Sequence, residues 1–323
     1  MLCIDVHHHF FPTDLKKESS NQKLGWKAVP GTLPWSPEVS LKAMDASGID
    51  VAILSLPALN AGSVSDENRA TARQRNLAMA AIARAHPTRF GFFACVPFLD
   101  DIKGVLEEVA YSLGVLQADG ISLSSCYGEG MLATYIGDDR YDEVWAELHR
   151  RKAVVFLHGA QVASSTRIPH PSLCIPISEV PNETFKAAAH LVVTGRKRKY
   201  PDVKIILAHL GGTTPFLAPR VAVLSNHMGS PLTPEEMLED FKSFYYDTAL
   251  SAYDASLACI DNFVGHDRIL FGTDFPAVGA QMAQWYTNHV RRHYESDSDK
   301  LNMVLGGTAR KLFPRLRSPV YRT

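Results

Sequence analysis

The sequence predicts a closed (β/α)8 TIM barrel, built as a single domain over residues 1–323 with a flap inserted after the first strand. Three observations predict it. Short apolar segments alternate with amphipathic ones along the chain, and counting from the first gives eight strand-then-helix units. The apolar segments include near-continuous hydrophobic runs such as VAILSLPA at 51–58, the pattern of strands buried on both faces. No Gly-rich phosphate fingerprint follows any strand, which argues against an open, doubly wound sheet.

The first strand lies within MLCIDVHHHFFP, residues 1–12, where Leu2, Ile4 and Val6 alternate with other residues at the strand period of two. If it runs on to His9, His7 and His9 share one face and His8 takes the other. Residues 13–35 are polar and rich in Gly, Pro, Lys and Ser. A loop of that length without structure of its own is uncommon in a compact domain, and is usually functional; it reads as a flap over a site. A helix at 37–47 stops at Gly48, and the strand at 51–58 leads to a helix at 66–86 ended by Pro87. The remaining strand and helix pairs are 90–97 with 101–113, 120–124 with 141–151, and 154–158 with 183–199. They continue as 203–209 with 215–224, 244–249 with 255–264, and 269–274 with 281–293.

Composition sets the class. The chain is 46% hydrophobic and 21% charged, with no apolar run long enough to span a bilayer. Its 33 basic and 34 acidic residues leave a net charge of −1, so no field draws it to nucleic acid or an anionic membrane. The basic stretch GRKRKYPDVK at 195–204 falls where a helix gives way to a strand, and cations there complement the helix dipole. Five scattered cysteines without a C-x-x-C pair read as reduced thiols of a cytosolic protein. No secretory leader is expected after Met1. Small-molecule chemistry is the expected business of such a chain.

In a parallel barrel the chemistry gathers at the C-terminal ends of the strands. His7 and His9 end the first strand, His158 the fifth, His209 the sixth and Asp274 the eighth. A lone strand histidine is more often a packed, hydrogen-bonded residue than a ligand, and Asp274 alone would serve as a helix cap. Four imidazoles and one carboxylate at strand ends form a set suited to zinc and its first-row neighbours. His8, on the opposite face, reads as a packing or supporting residue. Phe275, beside the aspartate, and Phe10 and Phe11, after the histidines, are candidates to pack on an aromatic ring.

DVHHH (5–9), LAHLGG (207–212) and LFGTDFP (270–276) resemble the metal-site signatures of the amidohydrolase superfamily. WSPEVSLKAMDASGI (35–49) and VPNETFKAAAHLV (180–192) resemble its branch of decarboxylases related to aminocarboxymuconate-semialdehyde decarboxylase and γ-resorcylate decarboxylase. EVPNETFKAAAHLVVTG, with ILAHLGGTTPFLAPRVAVLS and FYYDTALSA, is similar to fungal 6-methylsalicylate decarboxylases. The resemblance implies that His7, His9, His158 and Asp274 bind one divalent metal, zinc first and manganese second. It places His209 beside the metal to handle a proton or orient substrate, and gives Asp274 a catalytic role as well.

The implied activity is non-oxidative decarboxylation of a 2-hydroxybenzoate, 6-methylsalicylate to m-cresol and CO2, by protonation of the ring carbon and then C–C cleavage. The implied partners are a small aromatic carboxylic acid and a second copy of the chain; residues 187–193 or the tail at 314–323 are candidates for that contact. Two departures stand out. Thr308 replaces the family's usual asparagine, which touches at most a terminal helix cap. No arginine occurs before Arg69, and Ser40 and Lys42 stand where the muconate enzyme is thought to hold a second carboxylate. A substrate with one carboxylate and an otherwise uncharged ring fits better. The rival chemistry is hydrolysis of an amide or lactone. GISLSS at 120–125 offers no lysine or glutamate to bridge a second metal, which favours one metal and decarboxylation. A non-catalytic scaffold would be expected to lose ligands, and all five positions are present.

Overall fold

The computed structural model describes residues 2–27, 29, 31–58, 62–163 and 168–317. Eight strands form one sheet in chain order: β1 (Ile4–His9), β2 (Val51–Ser55), β3 (Phe90–Cys95), β4 (Gly120–Ser124), β5 (Val154–His158), β6 (Lys204–Leu207), β7 (Tyr245–Asp247) and β8 (Ile269–Leu270). Each neighbouring pair is parallel. The sheet closes on itself where Val6 N donates to Phe271 O at 3.0 Å, Asp274 N to His7 O at 2.8 Å and His9 N to Phe275 O at 2.7 Å. This is the predicted (β/α)8 barrel.

Alternate strand residues divide between two apolar layers. Leu54, Phe92, Leu123, Leu157 and Leu207 pack outward with helix residues such as Met79, Val105 and Leu148. Ile4, Val6, Ile53, Phe93, Phe156, Ile206 and Leu270 cluster with Phe313 and Leu316, so the lumen is filled by side chains and plugged by the C-terminal segment. Strict alternation from Ile4 and Val6 would turn His7 away from that lumen. The β1–β2 register instead shifts between Asp5 and His8, an irregularity of the kind that re-aims side chains beside active sites.

The longer helices are α1 (Lys17–Lys23), α2 (Pro37–Ser47), α3 (Asp66–Ala85), α4 (Ile102–Gly114), α5 (Asp142–Arg150), α6 (Ile175–Val193), α7 (Thr214–His227), α8 (Pro234–Lys242), α9 (Asp254–Phe263) and α10 (Ala280–His293). Three differ from expectation. The segment 13–35 is not structureless: it carries a 3-10 turn, Thr13–Leu15, and α1. Helix α6 begins at Ile175 and carries Pro181 inside it, where the sequence reading starts only at 183; Gly195, in the left-handed region (φ 69°), separates it from the turn Arg196–Lys199. Helix α8 was not anticipated, although Thr233 and Glu236 close a capping box at its start.

The basic stretch at 195–204 is largely absorbed internally. Arg196 is buried and pairs with Asp139 and Asp142, and Lys199 pairs with Asp142. Thr308 lies inside a continuous helical run, where its hydroxyl donates to His266 O at 3.3 Å. No helix among the described residues is long and apolar enough to cross a membrane.

Candidate metal centre and active site

The strand ends bring all five sequence-predicted residues to one place at the barrel mouth. His7 and His9 come from β1, His158 from the end of β5, His209 from just past β6 and Asp274 from the turn after β8. The His7 ring centroid lies 5.0 Å from that of His9, 5.1 Å from His158 and 4.7 Å from His209. Potential ligand atoms of His7, His158 and His209 lie within 4.8 Å of one another, and so do those of His7, His9 and Asp274. Asp274 Oδ1 stands 2.9 Å from His9 Nε2 and 3.5 Å from His7 Nε2.

Each imidazole has its Nδ1 on an oxygen. His7 Nδ1 donates to Asp247 Oδ2 at 3.0 Å, His158 Nδ1 to Gly159 O at 2.9 Å, His209 Nδ1 to Ala249 O at 2.9 Å, and His9 Nδ1 to Ser55 O at 3.3 Å. Those acceptors carry no proton, so the ring proton sits on Nδ1 and the Nε2 lone pair is left for a ligand. His7 Nε2 and Asp274 Oδ1 are buried without a hydrogen-bond partner. An unpaired nitrogen and an unpaired carboxylate oxygen facing each other in a buried site are costly unless something binds between them. The residues present therefore fit a divalent metal ion.

Charge points the same way. Burial works against a charged His7, yet the Asp247 and Asp274 carboxylates outweigh it and raise the group to about 10. Positive charge is favoured at this spot, whether carried by a proton or a metal. Burial lowers His9 and His209, and burial together with the neighbouring imidazoles holds His158 well below the ordinary value. Burial also opposes ionisation of Asp274, but the His7 and His9 rings keep its carboxyl well below the usual range. The set is thus neutral at His9, His158 and His209 and anionic at Asp274, the protonation states metal ligation requires.

Backbone strain concentrates here. His209 (φ 58°), Leu210 (φ 52°), Leu250 (φ 51°) and Asp274 (φ 63°) occupy the left-handed region without being glycine. Gly272 is dictated by proximity: a Cβ there would lie 2.8 Å from His7 Cβ.

Asp247 escaped the sequence reading. Nothing in FYYDTA marks its carboxylate as the partner of a histidine 240 positions away. Its Oδ1 also accepts from the backbone N–H groups of His209 and Ala249 at 3.2 and 2.9 Å, so one side chain orients two strand ends. Asp247→Ala is expected to weaken metal binding about 10–100-fold, measured by competition with a chelator.

A cavity of about 350 Å³ opens from the cluster, lined by His9, His158, His209 and Asp274 and roofed by Lys17, Asn21 and Trp26 from the segment after β1. Apolar walls come from Pro57, Val180, Leu250, Met282 and Tyr286 among others. Trp26 Nε1 donates to Ala277 O at 3.0 Å and ties the roof to the turn after β8. Phe275 lies on His8 (centroids 5.3 Å apart) and is not among the residues lining the cavity. Phe10 packs edge-on to Trp35, and Phe11 stacks on His9. His8 is a supporting residue in fact: its Nδ1 meets Asp5 Oδ2 at 2.9 Å and its Nε2 meets Ser40 Oγ at 2.8 Å.

A family model described as amidohydrolase matches residues 4–315. Decarboxylase macB of Penicillium terrestre is 40% identical over 97% of this chain and 95% of that protein. The 6-methylsalicylic acid decarboxylase of Penicillium expansum is 36% identical over 98% of each. In fold, the chain is similar to a dihydroxybenzoic acid decarboxylase from Polaromonas with bound manganese and the inhibitor 2-nitroresorcinol. That match has a TM-score of 0.81 at 23% identity and covers 99% of this chain and 98% of that one. With the family model spanning nearly its whole length and close relatives aligned end to end, this chain belongs to the amidohydrolase family.

Proposed function

We propose that the protein is a metal-dependent, non-oxidative decarboxylase of a 2-hydroxybenzoate, a carboxy-lyase whose first substrate to try is 6-methylsalicylate. One observation carries the reading: a buried His/Asp cluster with unpaired ligand atoms opens into a partly enclosed, mostly apolar cavity. Two relatives named as decarboxylases align over nearly the whole chain and support it.

His7, His9, His158 and Asp274 would hold the ion, with His209 alongside. Zinc is the ion proposed first and manganese second, the Polaromonas structure holding manganese. When bound, a divalent ion supplies Lewis-acid stabilisation of negative charge on the ortho oxygens of the substrate. The chain does the rest. His209, its Nδ1 committed to Ala249 O, accepts the phenol proton at Nε2. It returns that proton to the ring carbon bearing the carboxylate. The C–C bond then breaks, its electron pair restores the aromatic ring, CO2 leaves, and the phenolate product takes a proton from water. A low imidazole pKa suits the delivery half of this cycle. The apolar walls and the roof from α1 keep water from the reacting carbon.

Hydrolysis on the same barrel is disfavoured by β4. It ends in Ser124, paired with His158, and brings neither lysine nor glutamate to bridge a second ion. Of residues 187–193, suggested for a homodimer contact, Ala187, Ala188, Leu191 and Val192 are buried within the chain, which leaves Ala189, His190 and Val193 half-buried. The other suggested segment, 314–323, lies outside the described residues from 318 on. Helix α7 instead leaves Phe216, Val223 and Leu224 exposed, with Met228 exposed just past its end.

The test is direct. Metal-loaded protein given 6-methylsalicylate is expected to release m-cresol and CO2 in equal amounts by chromatography and CO2 trapping. No turnover across a panel of ortho-hydroxybenzoates would sink the assignment.

A further inference from the structure

We propose that the ammonium group of Lys17 is the anion-recognition element of the cavity, pairing with the carboxylate of the incoming aromatic acid. The inference rests on the decarboxylase reading and adds to it a residue that no metal-site signature contains.

Lys17 opens α1 and is only 8% exposed. Among the described residues its ammonium has no hydrogen bond and no ion pair; it stands over the face of the Phe11 ring, 5.0 Å away, and the Asp274 carboxylate acts on it only through space. A cation held largely out of solvent, with no hydrogen-bonded or ion-paired anion, keeps its pairing capacity for a ligand. The use is visible in its place. Lys17 lines the same cavity as His9, His158, His209 and Asp274, and is the only lysine or arginine among the described residues that does.

The local chain holds it there. Lys16, in the left-handed region (φ 45°), turns the backbone into α1. Helical spacing then puts Lys17 and Asn21 on one face, and both are buried while Glu18, Ser19, Gln22 and Lys23 face solvent. Asp14, just before the helix, is anchored to Arg75 at 2.6 Å, and Trp26, just after it, to Ala277 O at 3.0 Å. A cation fixed in this way over an apolar cavity selects an acid over its neutral counterpart with little ordering cost.

The experiment compares two probes on metal-loaded protein by calorimetry: salicylate, which carries the carboxylate, and m-cresol, which lacks it. Lys17→Met keeps the apolar stem and the Phe11 contact but removes the charge. It is expected to weaken salicylate binding about tenfold or more while leaving m-cresol affinity unchanged. Lys17→Arg is expected to recover most of the loss. In turnover, Lys17→Met raises KM more than it lowers kcat. Its thermal midpoint stays close to wild type, since the substitution breaks no hydrogen bond or ion pair. An equal loss for both probes makes Lys17 a packing residue of the roof and overturns the proposal, as does unchanged salicylate binding. Failure of the wild-type protein to bind salicylate at all would instead bring down the decarboxylase reading, and this inference with it.

Discussion

Asp274→Ala is expected to lower turnover by about a thousandfold or more and to empty the metal site, whereas His209→Ala lowers turnover comparably and keeps the metal. The difference follows from position. Asp274 Oδ1 lies within 3.5 Å of the Nε2 atoms of both His7 and His9, so its loss removes the carboxylate from the proposed ligand set and the anion that favours positive charge there. His209 lies 4.7 Å from His7, centroid to centroid, with Nδ1 tied to Ala249 O, and in this account handles a proton rather than the ion. Steady-state kinetics beside elemental analysis of each variant checks both halves. Asp274→Ala with full metal would remove it from the ligand set, and His209→Ala without metal would move His209 into it.

The second large effect falls on stability. Asp5 is fully buried, and its carboxylate accepts from His7 N and Thr273 N at 3.0 Å each, from Thr273 Oγ1 at 2.5 Å and from His8 Nδ1 at 2.9 Å. Those bonds join β1 to the turn after β8, the seam at which the barrel closes. Asp5→Ala leaves several buried donors unpaired at once and is expected to cost about 3–5 kcal/mol of unfolding free energy. Denaturant unfolding measures it. A loss of less than about 1 kcal/mol would show that the seam is held by backbone pairing alone.

The barrel is readable in the sequence because buried parallel strands are apolar throughout, so an ionisable residue at the end of one stands out. His158 after VVFL and Asp274 after ILFGT are visible for that reason. Asp247 is not, since its meaning lies in a contact across 240 positions that no local pattern encodes. Lys17 and Trp26 were hidden for a different reason. A polar segment reads as a loop, and which of its side chains turn inward depends on one left-handed residue and a short helix.

Phe275 illustrates the opposite case. It adjoins Asp274 in sequence, but Asp274 lies in the left-handed region (φ 63°), where the chain turns, and Phe275 packs on His8. Strict alternation from Ile4 and Val6 misplaces His7, because the register of β1 shifts after Asp5. Helix α6 runs through Pro181 after six residues, an interior position where proline is disfavoured, so its first turns are not legible from local pattern.

The claim on which the rest depends is that imidazoles from β1 and β5 and a carboxylate from beyond β8 share one ion. Elemental analysis of protein purified without chelator, wild type beside His158→Ala, tests it most directly. The account predicts about one divalent ion per wild-type chain and a small fraction of that in the variant. Full occupancy in His158→Ala would contradict it.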